Sequence, residues 1–149
     1  MLIFLILKMT IMKRFLILSI IVLSIDSQLL SQSHPYNIVF DVTSGDTAVH
    51  HRVIRWISGI IKSYPEAKVE VVFYGKSLTM VETETSTRST EIKKLTENKN
   101  ITFAVCEQAM KVHNVSKSQL LTGVTTVPDA LYELISKQQD GYGYIKVVN

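Results

Sequence analysis

Five short apolar runs, each bounded by turn residues and separated by stretches that favour helix, limit what this chain can fold into. The runs are NIVFDV at 37–42, KVEVVFY at 68–74, ITFAV at 101–105, GVTTV at 123–127 and YGYIKVV at 142–148. They are rich in Val, Ile, Phe and Tyr, whose branched or aromatic side chains fit a pleated surface. Strands that alternate with helices predict an α/β domain built on a mainly parallel five-stranded sheet.

The intervening stretches read as helices with definite stops. Thr43-Ser44-Gly45-Asp46 forms a turn, and Ser44 or Asp46 supplies the side-chain oxygen that caps a helix. That helix runs to about Ser63, with Val49, Val53, Trp56, Ile57, Ile60 and Ile61 on its inner face. His50, Arg52 and Lys62 fall off that face. Tyr64-Pro65 ends it, because proline disfavours helix in the residue before it. Leu78 to Val81 reads as a helical turn, Glu82 to Thr90 as a polar loop with no core face, and Glu91 to Asn98 as a helix with Ile92 and Leu95 inward. Ser116 and Gln119 have capping-box spacing and open a short helix ending at Leu121. Pro128 suits the first turn of a last helix, where its missing N–H is harmless. Ala130, Leu131, Leu134 and Ile135 are assigned to that helix's inner face, and Gly141 stops it.

Within this frame the only cysteine, Cys106, falls where the third strand hands over to a helix beginning at Glu107. In an open α/β sheet that is the carboxyl edge, where ligands bind. The free N–H groups of a following helix favour a thiolate. Glu107 opposes this through its negative charge. Cys106 is therefore a small buried apolar residue, an intermolecular disulfide partner or a reactive thiol. Asp41 closes the first strand at the same edge. It is read as a loop cap, with polarisation of a ligand as the alternative. Trp56 is assigned to the core or to a subunit contact. Tyr142 and Tyr144 share one strand face and either line the pocket near Cys106 or pack between subunits.

Other chemistry is hard to place. Gly75-Lys76-Ser77 looks like the end of a phosphate-binding loop, but that pattern needs glycine at position 70, where Glu70 stands. His50 and His51 are adjacent and project about 100° apart on a helix. His113 lies two helical turns beyond Cys106, too far for direct pairing. No His/Cys ligand spacing is present, so neither a metal site nor a cofactor is expected.

The first 33 residues read as an address. Lys13-Arg14 precedes an apolar run from Phe15 to Ile25, and small residues follow at Ser27, Ser31 and Ser33. The run is short for a membrane span, which takes about 20 residues. Residues 1–33 are expected to be a signal peptide and residues 34–149 a single domain, periplasmic or secreted. Retention as a membrane anchor is the alternative. No stable membrane insertion is expected after cleavage. The whole chain carries a net charge of +3, but Lys8, Lys13 and Arg14 against Asp26 account for two of those charges. What remains is nearly neutral with scattered lysines, which argues against a nucleic-acid partner.

Three stretches together resemble the DsrE/DsrF-like family of small sulfur-handling proteins, especially its YchN-like branch. They are Val72-Phe73-Tyr74-Gly75, Phe103-Ala104-Val105-Cys106-Glu107, and Val127-Pro128 followed by Gln138-Gln139-Asp140-Gly141-Tyr142-Gly143-Tyr144-Ile145. The resemblance implies a three-layer α/β/α sandwich and assembly as a homo-oligomer, a trimer or a hexamer. It also implies a persulfide-forming role for Cys106, with a sulfur donor or acceptor protein as partner. The alternative function is a non-catalytic oligomeric module of the cell envelope that binds a small ligand.

Overall fold

The computed structural model describes residues 36–148, so the signal-peptide expectation lies outside the described residues. Five strands form one sheet: β1 (Ile38–Val42), β2 (Val69–Phe73), β3 (Ile101–Cys106), β4 (Thr125–Val127) and β5 (Gly143–Val147). Every pairing is parallel, and the strand order is β4-β3-β2-β1-β5. The chain steps outward from β1 to β4 and then crosses back to lay β5 on the other side of β1. Four helices make the connections: α1 (Thr47–Ser63), α2 (Ser89–Thr96), α3 (Glu107–His113) and α4 (Ala130–Gln139). A 3₁₀ helix at Gly75–Met80 follows β2, and another at Lys117–Gln119 precedes β4.

Successive strand residues point to opposite faces, and the two faces differ in chemistry. One carries Ile38, Phe40, Val42, Val69, Val71, Phe73, Ile101, Phe103 and Val105, all buried. Val49, Val53, Ile54 and Ile57 of α1 and Ile92 of α2 pack on it. The Phe73 and Phe103 rings stack at 6.0 Å between centroids. The other face carries Val39, Asp41, Glu70, Val72 and Cys106, with Ala130 and Leu134 of α4 packed against it. The sheet thus lies between α1 and α2 on one side and α4 on the other, the expected α/β/α layering.

Local signals account for the helix ends. Asp46 caps α1, its carboxylate accepting from the Ala48 N–H at 2.8 Å. The capping box at Ser116 and Gln119 forms, but it closes a single 3₁₀ turn that ends at Gln119 rather than a helix reaching Leu121.

Three expectations are corrected. Pro128 precedes the last helix instead of opening it. Asp129 takes the cap, accepting from the Leu131 and Tyr132 N–H groups at 2.7 and 3.0 Å, two hydrogen bonds from orphan donors that a proline ring cannot accept. Leu131 and Ile135 face outward, 60% and 54% exposed, because the narrow stripe of Ala130 and Leu134 meets the sheet instead. His50 is buried among the α1 core residues, where its Nε2–H donates to the Ser44 carbonyl at 2.9 Å. That bond removes the cost of burying an imidazole nitrogen.

Candidate functional site

The sequence places Cys106 at the end of β3, and the structure keeps it there as the residue that precedes α3. Its backbone is extended (φ −68°, ψ 120°), as strand exit and helix entry both require. Its side chain takes no capping hydrogen bond from the helix. The free thiol is 5% exposed. It borders a cavity of about 330 Å³ at the carboxyl edge of the sheet. Tyr74, Gln108, His113 and Asp129 are the polar residues of the wall, and Ala109, Val112, Ala130 and Leu131 supply apolar surface. Gly75 also lines it, with φ at +61°, a left-handed turn that carries the chain from β2 into the following 3₁₀ helix.

Three elements therefore converge on the thiol: β3 with α3, the exit of β2, and the start of α4. His113 shares the cavity wall with Cys106 although two helical turns separate them along α3. Sequence spacing alone hid this, because the cavity extends along the helix. Glu107, next to the cysteine, is turned away. Its carboxylate pairs with Lys117 Nζ at 2.8 Å and accepts from Thr126 Oγ1 at 2.9 Å. The hydrogen bond from Lys117, then that from Thr126, holds this carboxyl below its ordinary range. Its charge is thereby directed to β4 rather than to the thiol.

Beside this cavity lies a polar cluster on the same sheet face. Asp41 is 2% exposed and accepts from the Tyr144 hydroxyl at 2.6 Å. Lys146 Nζ donates to both of its carboxylate oxygens, at 3.0 and 3.2 Å. Asp41 is thus neither a loop cap nor free to polarise a ligand by itself. It is the buried acceptor of two β5 side chains. Its hydrogen bond, aided by burial, pushes the Tyr144 phenol up to about 12. Burial opposes the charge on Lys146, and the bond and charge of Asp41 overcome that and hold the ammonium above its ordinary value. Lys146 also sits 5.7 Å above the Tyr74 ring. Burial, then the charge of Asp41 and a hydrogen bond to it, raise the Tyr74 phenol above its ordinary value, so its hydroxyl belongs to the Asp41 cluster while the residue forms part of the cavity wall. Tyr144 therefore belongs to this cluster, while Tyr142 packs beneath α4 with the Lys137 ammonium 5.5 Å from its ring. Trp56 stacks on Phe40 at 6.1 Å and remains 36% exposed, in an open apolar groove with Tyr36, Tyr64 and Ile145.

The sequence signal for these polar groups was a carboxylate inside an apolar strand: Asp41 in β1 and Glu70 in β2. Such residues are buried only with partners. The partners themselves, Tyr144, Lys146 and Lys137, lie too far along the chain for spacing to reveal. Among the described residues no group of three or more His, Cys, Asp or Glu side chains is placed to hold a metal ion. No described helix is long and apolar enough to cross a membrane.

A model of the DsrE/DsrF-like family matches residues 37–147. No curated protein matches the chain. Among solved structures, the protein of unknown function MTH1491 from Methanobacterium thermoautotrophicum superposes with a TM-score of 0.70 at 22% identity. The superposition covers 74% of this chain and 98% of that one. At that identity the likeness speaks for the fold, and the fold it supports is the all-parallel five-stranded α/β sheet described above.

Proposed function

We propose that this chain, which belongs to the DsrE/DsrF-like family, binds sulfane sulfur on Cys106 as a persulfide and hands it to a partner. The observation that carries the reading is the position of Cys106, a lone thiol at a strand's carboxyl edge that borders a cavity of small-molecule size. In the reaction Cys106 loses its proton, and the thiolate attacks a terminal sulfane sulfur of an inorganic polysulfide. A Cys–S–S⁻ bond forms, the donor's S–S bond breaks, and the shortened polysulfide leaves with the electron pair. No external oxidant or reductant is needed. Gln108 and His113 are polar residues of the cavity wall beside Cys106 that can contact the sulfur chain.

The motifs at Val72–Gly75 and Phe103–Glu107 support a place in the YchN-like branch, and Lys13-Arg14 with its apolar run supports export to the periplasm or beyond. Assembly as a trimer or hexamer is supported by the aromatic groove at Trp56, Tyr36 and Tyr64, apolar surface that a second copy would cover. A second reading, a non-catalytic ligand-binding module, is favoured by the burial of Cys106 and its lack of a capping hydrogen bond.

Polysulfide treatment of the mature protein followed by intact mass measurement separates the two. The sulfur reading expects one added sulfur per chain, removed by dithiothreitol and absent from Cys106→Ser. Failure of the wild-type protein to gain sulfur, with a thiol that iodoacetamide leaves unmodified in the folded protein at pH 9, would falsify it in favour of the binding module.

A further inference from the structure

Glu70 has no role in the reading above, yet it is the least comfortable group in the domain. It lies on β2 beneath α4 and is 5% exposed. Its Oε2 pairs with Lys137 Nζ at 3.0 Å, while Oε1 accepts no hydrogen bond from the protein. Lys137 is shared with a second carboxylate, Glu133, at 3.5 Å. One ammonium therefore serves two carboxylates, and one of these is buried. The groups facing Glu70 are few. From α4 they are Lys137 and Glu133, and from the segment before β5 the Tyr142 ring. Its register partners on β1 and β3, Val39 and Thr102, carry no charge.

The helix above this triad is lightly held. Ala130 and Leu134 are the buried residues of α4, so its seating depends heavily on how the carboxyl group of Glu70 is accommodated beneath it. The opposite end of the same helix walls the thiol's cavity: Asp129, Ala130 and Leu131 line it. A movement of α4 off the sheet therefore opens Cys106 to solvent.

We propose that α4 is a proton-linked lid over the Cys106 cavity, latched at its far end by the buried carboxyl group of Glu70 when that group is neutral. The sign follows from the two environments. Under the seated helix, burial raises the Glu70 carboxyl to about 7, against the pull of Lys137. Lifted into water, the same group loses its proton near the ordinary value of 4.5. Seating α4 thus holds a proton that opening releases. Between those two pH values the opening equilibrium rises tenfold per pH unit, and above the upper one it levels off. In acid, Glu70 is neutral beneath the helix and α4 stays down. At neutral and higher pH a buried charge with one unpartnered oxygen lies under α4, its ammonium shared with Glu133, and the helix lifts more often. This regulation rests on Cys106 being a working thiol, but α4 opening can be read without it.

Amide hydrogen exchange across residues 130–139, measured from pH 5 to pH 8 in wild type and Glu70→Gln, is the test. Dividing wild-type by variant rates at each pH cancels the intrinsic pH dependence of exchange. The ratio should climb on the order of a hundredfold between pH 5 and pH 7.5 and then flatten. A ratio constant with pH overturns the lid. Iodoacetamide labelling of Cys106, treated as the same ratio, should follow the same curve; a flat labelling ratio beside a pH-dependent exchange ratio shows that α4 moves without gating the thiol and also overturns it. Should Glu70→Gln fail to fold, Glu133→Gln replaces it. Removing the second carboxylate must move the midpoint to lower pH, and an unmoved midpoint counts against the proposal. Both ratios as expected with no sulfur uptake would uphold the lid and refute the sulfur reading alone.

Discussion

The two faces of the sheet are made by the same strands and do opposite things. Among the described residues, the face under α1 and α2 gathers twenty buried residues into one apolar cluster, and the face under α4 gathers five. A parallel sheet covered on both sides ordinarily reads as continuous apolar strands. Here alternate positions break that rule: Asp41, Glu70, Tyr144 and Lys146 all fall on the α4 side. The difference teaches a division of labour. One face supplies most of the hydrophobic stabilisation, at roughly 25 cal/mol for each Å² of apolar surface removed from water. That leaves the other able to carry charged groups, a cavity and a thiol, which would weaken the domain if they formed its only core.

The sharpest way to break this contrast is Phe103→Ala. Phe103 is fully buried between Phe73 and the helices of the thick face, and its loss should cost about 3–5 kcal/mol in urea unfolding. A cost under about 1 kcal/mol would mean that the apolar face is not the mainstay. On the thin face, Leu134→Ala should cost about 2–3 kcal/mol. In the wild type, amides of α4 should already exchange faster than those of β1 to β3, and the substitution should speed both by that amount. Equal wild-type protection in both places would show that α4 and the sheet open as one unit. Leu131→Ser, on the outer side of α4, should change stability by less than about 0.5 kcal/mol. A larger loss at micromolar concentration would show that this side is covered by another copy.

The thick face was the legible one. Its strands are β-branched, its helix α1 has an apolar stripe at regular spacing, and Asp46 and the Ser116–Gln119 pair announce their caps in sequence. The thin face was not, for reasons visible in particular residues. On α4, Ala130 with Leu134 and Leu131 with Ile135 are equally good i, i+4 stripes, and only the position of the helix over β1 and β2 decides which goes in. His50 was set outside the core because it lies off the Val49–Val53–Trp56–Ile57 stripe, whereas the buried face of α1 takes in His50 with Val53, Ile54 and Ile57, and the Ser44 carbonyl makes its burial tolerable. Cys106 was placed correctly because strand exit and helix entry are adjacent in the chain. Tyr74 and Asp129, which help enclose it, arrive from β2 and α4 and carry no mark of that role. The fate of Asp41 depended on Tyr144, 103 residues away.

That last separation bears on how the domain comes into being. Among the described strands β1 leaves the ribosome first, yet one of its two edges is filled by β5, the last of them. Until β5 emerges, β1 has an open edge, and Asp41 has neither the phenol nor the ammonium that makes its burial bearable. Closing a loop of this length is slow in entropic terms, and contacts so remote in sequence form late. A nascent or C-terminally truncated chain is therefore not a smaller version of the fold. It presents an unpaired strand bearing an uncompensated carboxylate, a form suited to recognition by chaperones and proteases and unsuited to settling early into its final shape.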